Sequence, residues 1–128
     1  MVSGRQMLIV EDERDIANCL AEFFTLHGYS VISTFSGEEA LAYVEKGEAD
    51  VILLDVLLPG LSGLEVLKRI KRMRPNTRVI MVTALDAEDV RREARRYGAC
   101  GFVTKPFDFS HHTWSSLLPA PPIQPHTT

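Results

Sequence analysis

At 128 residues and 14.3 kDa the chain has the size of one average domain, which is too small for a catalytic module beside a separate output module. Its 45% apolar and 24% charged residues are those of a globular protein, which excludes wholesale disorder, and its net charge of −3 offers no bulk attraction to nucleic acid. The apolar stretches are a few residues long against the roughly 20 of a spanning helix, and no basic-then-apolar leader opens the chain, so the expected location is the cytoplasm, away from the membrane.

The first apolar run, Met7–Val10, lacks the polar alternation of a strand with one wet face and reads as a strand buried on both sides. It leads into Glu11, Asp12 and Glu13. Helical spacing follows in Ile16, Leu20, Phe23 and Phe24, up to a stop at His27-Gly28. Tyr29–Thr34 is a half-polar strand suited to a sheet edge, and Ser36 with Glu39 opens a second helix, through Ala40, Leu41 and Val44, as a capping box. Val51–Leu54 repeats the pattern of the first run and ends at Asp55. Leu64, Val66, Leu67 and Ile70 mark a third helix, and Val79–Val82 is another buried strand, followed by Thr83. A fourth helix over Asp86–Tyr97 buries Val90, Ala94 and Tyr97, with Gly98 as its C-terminal cap. Its arginines 91, 92, 95 and 96 balance Asp86, Glu88, Asp89 and Glu93, the pattern of a solvated, salt-bridged face rather than a nucleic-acid patch. Gly101–Val103 is the fifth strand, leading through Thr104 to Lys105. Cys19 and Cys100 lie far apart, on a helix and a strand approach, and read as small buried apolar residues rather than a disulfide or metal ligands.

The end of the chain differs. From Ser110 onward there is no Asp, Glu, Lys or Arg, and prolines stand at 119, 121, 122 and 125. Phe107, Trp114, Leu117 and Leu118 can share one face of a short, poorly anchored helix, while the adjacent His111 and His112 point different ways and read as surface residues. The expected organisation is a core over residues 1–109, a short atypical last helix over 110–118 and a proline-rich disordered tail over 119–128.

Alternating strands and helices imply an α/β fold, a parallel sheet with right-handed crossovers whose chemistry sits at the carboxyl ends of the strands. Those ends carry Glu11, Asp12, Asp55, Thr83 and Lys105. Three converging carboxylates repel one another and raise the pKa of one of them unless a cation sits between them, and oxygen donors with room for water suit Mg²⁺. Lys105 adds an ammonium and Thr83 a hydroxyl. The set suits phosphoryl transfer in which the Asp55 carboxylate attacks phosphorus. Each residue has a plainer role open to it: an Asp can cap a helix, a Thr can simply fill a strand, a Lys can snorkel. Independent plain roles would not gather them around one point.

The runs Met7-Leu8-Ile9-Val10-Glu11-Asp12-Glu13, Leu54-Asp55-Val56-Leu57-Leu58-Pro59-Gly60 with Gly63-Leu64-Glu65, Val82-Thr83-Ala84, and Gly98-Ala99 through Gly101-Phe102-Val103-Thr104-Lys105-Pro106-Phe107 resemble the receiver domain of two-component response regulators, over about residues 6 to 108. The resemblance implies a flavodoxin-like, doubly wound sheet of five strands in the order 2-1-3-4-5. It implies Asp55 as phosphoacceptor, with Mg²⁺ held by Glu11, Asp12, Asp55 and the backbone carbonyl of Leu57. Thr83 becomes the switch hydroxyl, Phe102 the aromatic switch and Lys105 the phosphate-pairing lysine, and the Lys105-Pro106 bond is similar to one that is cis in the family. Glu11 stands where Asp is commoner. The implied partners are a sensor histidine kinase or phosphotransfer protein and a downstream protein target. After Asp108 the sequence leaves the family pattern of a charged amphipathic last helix, which weakens the expectation of dimerisation through the fourth helix, fifth strand and last helix. Three rivals are a receiver-like docking module that works without phosphorylation, a phosphatase with an aspartyl-phosphate intermediate and a flavodoxin-like cofactor carrier. The phosphatase calls for an Asp at position 57, where Leu stands, and the carrier for a phosphate loop where residues 11–15 are acidic.

Overall fold

The computed structural model describes residues 5–118, so the tail over 119–128 lies outside the described residues. Five strands and five helices alternate: β1 Gln6–Val10, α1 Arg14–Leu26, β2 Ser30–Thr34, α2 Gly37–Lys46, β3 Val51–Leu54, α3 Gly63–Met73, β4 Arg78–Thr83, α4 Glu88–Arg96, β5 Gly101–Thr104 and α5 His111–Trp114. All strand pairs are parallel, in the order β2-β1-β3-β4-β5, so the fold is the α/β sheet expected from the sequence.

The unbroken apolar runs have a direct cause. Successive side chains point to opposite faces of a strand, and here each face meets its own layer of helices. Leu8, Val10, Ile52, Leu54, Val79 and Met81 pack with residues of α2, α3 and α4, including Ala40, Val44, Val66, Leu67, Ile70 and Ala94. Met7, Ile9, Val51, Leu53, Ile80 and Val82 pack on the other face with Ala17, Leu20 and Phe24 of α1 and Trp114 of α5. The half-polar β2 forms one edge and β5 the other.

Local signals behave largely as read. The Ser36 hydroxyl accepts from the Glu39 N–H at 3.1 Å, but the returning Glu39 carboxylate takes the N–H of Phe35 at 2.7 Å, one residue before the cap. Gly98 has φ +104°, the left-handed conformation that ends α4, and the Ala99 N–H reaches back to the carbonyl of Ala94. The fourth helix is shorter than its charge pattern implies, starting at Glu88, because Asp86 lies in the preceding loop and pairs with Arg91 at 2.7 Å.

Two expectations are corrected. Both cysteines are exposed. Cys19 is two steps of 100° from Ala17, which puts it opposite the face of α1 that buries Ala17, Leu20 and Phe24. Cys100 precedes an edge strand, where its backbone N–H bonds Val79 while its side chain meets solvent. The last helix is short, as composition implies, but it is well anchored. Trp114 is buried and its indole N–H donates to the Asp108 carbonyl at 2.7 Å, while the Arg78 guanidinium donates to the Leu117 carbonyl at 2.7 and 3.2 Å. Rings of Phe24, Phe107 and Phe109 surround the indole.

Candidate functional site

The site forms where four strands end together. β1 delivers Glu11 and Asp12, the adjacent β3 delivers Asp55, β4 ends at Thr83, and β5 leads into Lys105. Ligand oxygens of Glu11, Asp12 and Asp55 lie within 4.8 Å of one another. Glu11 is 2% exposed and Asp55 4%, whereas Asp12 is open to solvent. The Lys105 ammonium bridges the two buried carboxylates, 2.7 Å from Glu11 Oε1 and 2.8 Å from Asp55 Oδ2, with Glu13 Oε1 at 3.7 Å. The Lys105-Pro106 peptide is cis, as the resemblance implied.

Backbone groups hold the carboxylates in place. The Leu57 N–H donates to Asp55 Oδ1 at 3.0 Å, and the Glu13 N–H donates to Glu11 Oε2 at 3.0 Å. The Leu57 side chain, 52% exposed, stands at the rim. Gly63, the first residue of α3, lets that helix come down onto the Asp55 backbone. A Cβ at this position would sit 2.0 Å from the Asp55 carbonyl oxygen, so any larger residue would displace the strand end that carries the carboxylate.

Electrostatics follow from burial. Removal from water pushes the Glu11 carboxyl above its usual range and the Asp55 charge pushes the same way, against the hydrogen bonds from Lys105 and the Glu13 N–H. Burial alone would lower the Lys105 ammonium, but its hydrogen bonds to Asp55 and Glu11 and the charges of those two carboxylates together outweigh that and raise it. The cluster therefore carries an excess of buried negative charge, with oxygen donors of the kind a hard divalent cation prefers.

Thr83 is fully buried at the end of β4, where its hydroxyl accepts the Leu85 N–H at 3.2 Å. Phe102 is half-buried on β5, paired in register with Met81, and packs against the α2–α4 side of the core. Of the residues singled out from the sequence, Glu11, Asp12, Asp55 and Lys105 thus share one cluster, and Thr83 and Phe102 lie on the two neighbouring strands. Three contributors carry no sequence signal of a role: Glu13, Gly63, and Arg91, whose guanidinium lies over the Phe102 ring with its carbon 4.6 Å from the centroid. Glu13 and Gly63 stand inside motif runs without a role of their own, and Arg91 is one of four arginines in a balanced helix.

Comparison with other proteins shows what the chain is similar to. The chain is 41% identical over 107 residues to the transcriptional regulatory protein TcrA of Mycobacterium tuberculosis (strain ATCC 25618 / H37Rv), covering 84% of this chain and 42% of TcrA, so it spans less than half the length of that relative. It is 40% identical over 105 residues to the sporulation initiation phosphotransferase F of Bacillus subtilis (strain 168), covering 82% of this chain and 85% of that protein. The crystal structure of a response regulator receiver domain protein (CheY-like) from Methanospirillum hungatei JF-1 superposes with a TM-score of 0.79 at 28% identity, over 81% of this chain and 83% of that one. A family model described as the response regulator receiver domain matches residues 7–113, a span that takes in every residue of the carboxylate and lysine cluster. With that match over most of its length and the 40% identity to a relative it covers to 85%, the chain belongs to the receiver domain family of two-component response regulators.

Proposed function

We propose that Asp55 accepts a phosphoryl group from the phosphohistidine of a sensor histidine kinase or phosphotransfer protein, in a Mg²⁺-dependent reaction, and that the phosphate switches a docking surface read by a downstream protein. The observation that carries this reading is the buried pair of carboxylates bridged by Lys105, with Asp12 open to solvent beside them. Such an excess of buried acid is costly to a fold unless a cation neutralises it, and one ammonium offsets only one of the two charges. Glu11, Asp12, Asp55 and the Leu57 carbonyl would hold Mg²⁺, which when bound supplies neutralisation of the phosphoryl oxygens. In the transfer a bond forms between an Asp55 oxygen and phosphorus as the phosphorus–nitrogen bond breaks, and the donor imidazole leaves as the neutral base, its other ring nitrogen having taken a proton from solvent. Lys105 turns from bridging two acids to pairing with the new phosphate. Thr83 gives up the Leu85 N–H and donates its hydroxyl to a phosphoryl oxygen, and Phe102 turns inward into the space released.

The sporulation phosphotransferase relative supports a place in a relay, and the TcrA relative supports a longer regulator as one setting for such a domain. A cytoplasmic location fits this role, and among the described residues no helix is long and apolar enough to cross a membrane. The single-turn α5 offers no acid to answer the arginines of α4 in a second copy, which favours docking to another protein over dimerisation. The reading is tested by intact-mass analysis after incubation with a phosphorylated kinase or a small acyl phosphate. Mg²⁺-dependent gain of one phosphate by the parent and none by Asp55→Asn is expected, and equal gain in both overturns the assignment.

A further inference from the structure

We infer that Arg91 is a clamp that holds Phe102 in its half-buried position under the guanidinium and so sets how readily the phosphate site switches. The inference rests on the receiver reading above and concerns its regulation. Three groups from two elements converge on one guanidinium. Arg91 Nε donates to Asp86 Oδ1 at 2.7 Å, a terminal nitrogen donates to Thr104 Oγ1 at 3.0 Å, and the guanidinium carbon lies over the Phe102 ring, 4.6 Å from its centroid. The ion pair with Asp86 is half open to water, so its worth as a stabilising contact is small. What the arrangement fixes is orientation, because a planar fork held by two acceptors can lie over a ring in few ways.

The partners tie the clamp to both sides of the switch. Phe102 and Thr104, two residues apart, share one face of β5. Thr104 pairs in register with Thr83, and the Lys105 N–H bonds the Thr83 carbonyl at 2.8 Å. On the other side, Asp86 follows Leu85, whose N–H is held by the Thr83 hydroxyl. A Thr83 hydroxyl drawn to phosphate frees the Leu85 N–H, lets the loop carrying Asp86 move, and removes one of the two anchors of Arg91. Phe102 can then slide from beneath the guanidinium. The clamp favours the phosphate-free arrangement, and by linkage it weakens the affinity of any group that favours the other.

The test uses beryllium fluoride in excess Mg²⁺ as phosphate mimic, on parent, Arg91→Ala and Arg91→Lys proteins carrying ¹³C-labelled phenylalanine, with the Phe102 resonance assigned through Phe102→Leu. In Arg91→Ala without mimic, the resonance is expected part of the way towards the parent's mimic-bound position. Because loss of a neighbour shifts a ring signal by itself, affinity decides. Half-saturation is expected at a roughly two- to fivefold lower mimic concentration in Arg91→Ala, the factor that one solvent-accessible cation–π contact is worth, with Arg91→Lys between the two. A parent resonance that moves with the mimic beside an Arg91→Ala protein of identical half-saturation overturns the clamp alone. A parent resonance that stays in place at saturating mimic overturns the aromatic switch, and the clamp with it.

Discussion

The two ends of the sheet treat charge in opposite ways. At the carboxyl ends of the strands, buried acids gather around Lys105, so charge meets charge in a space that would be more comfortable with less of it. At the other end cations meet neutral backbone. Lys71 donates to the carbonyls of Pro75 and Thr77 at 2.8 and 2.7 Å, Arg74 to those of Val44 and Gly47 at 3.2 and 3.3 Å in and just past the last turn of α2, and Arg78 to that of Leu117. Carbonyls past a helix end have lost their intrahelical donors, so a cation there fills a need that the fold creates. One end holds the chain together, and the other keeps two buried carboxylates with a single ammonium between them.

The sharpest way to break this contrast is to remove one cation from each end. Lys105→Met leaves Glu11 and Asp55 buried without their partner and is expected to cost about 3 kcal/mol at neutral pH in metal-free buffer. Added Mg²⁺ should recover part of that loss in a thermal melt, since the cation takes over the task of neutralising the acids. Arg74→Ala is expected to cost less, about 1–2 kcal/mol by urea unfolding, with a deficit that Mg²⁺ does not change and phosphorylation of Asp55 at the parental rate. Equal Mg²⁺ rescue of both variants would erase the distinction between the two ends.

The smallest effect is one of pH. Glu11 in the folded chain keeps its proton to a pH above the ordinary 4.5, so between that value and its raised one the folded state binds more protons than the unfolded state. Its contribution to stability is complete below pH 4.5 and is lost as pH rises through the folded value. In metal-free buffer the difference in stability between parent and Glu11→Gln should therefore move against the parent on raising the pH from about 4 to 7. A difference that stays flat would mean that Lys105 fully compensates the burial of Glu11.

Much of this was legible in the sequence, for physical reasons that can be named. Val51–Leu54 could be read to the residue because a strand covered on both faces needs an unbroken apolar run, and Asp55 stood out because it ends that run abruptly. Glu11, Asp12 and Lys105 were found by the same logic, which relies on strand ends alone. Residues whose roles depend on the phase or on distant partners were not legible. Cys19 is exposed through its angular position on α1, and the anchoring of α5 depends on Arg78, 39 residues from the carbonyl it holds. Arg91 meets Thr104 across 13 residues, a contact that exists only once β5 lies beside α4. Glu39 was read as closing a capping box on Ser36, yet its choice of the Phe35 N–H was set by the entry of the chain into α2.

The interior position of β1 has a consequence in time. Its residues lie between β2 and β3, with Met7 beside Val31 on one side and beside Val51 on the other. A ribosome delivers the first neighbour early and the second only after α2 has been made, a delay of roughly one to four seconds for residues 35–54 at about 5–20 residues per second. Throughout that interval Leu8, Ile9 and Val10 present an open strand edge and one uncovered face, the surface on which nascent chains pair with the wrong partner. Pairing with Val51–Leu54 closes that edge of β1 and, because Asp55 follows directly, sets Asp55 beside Glu11 in the same step.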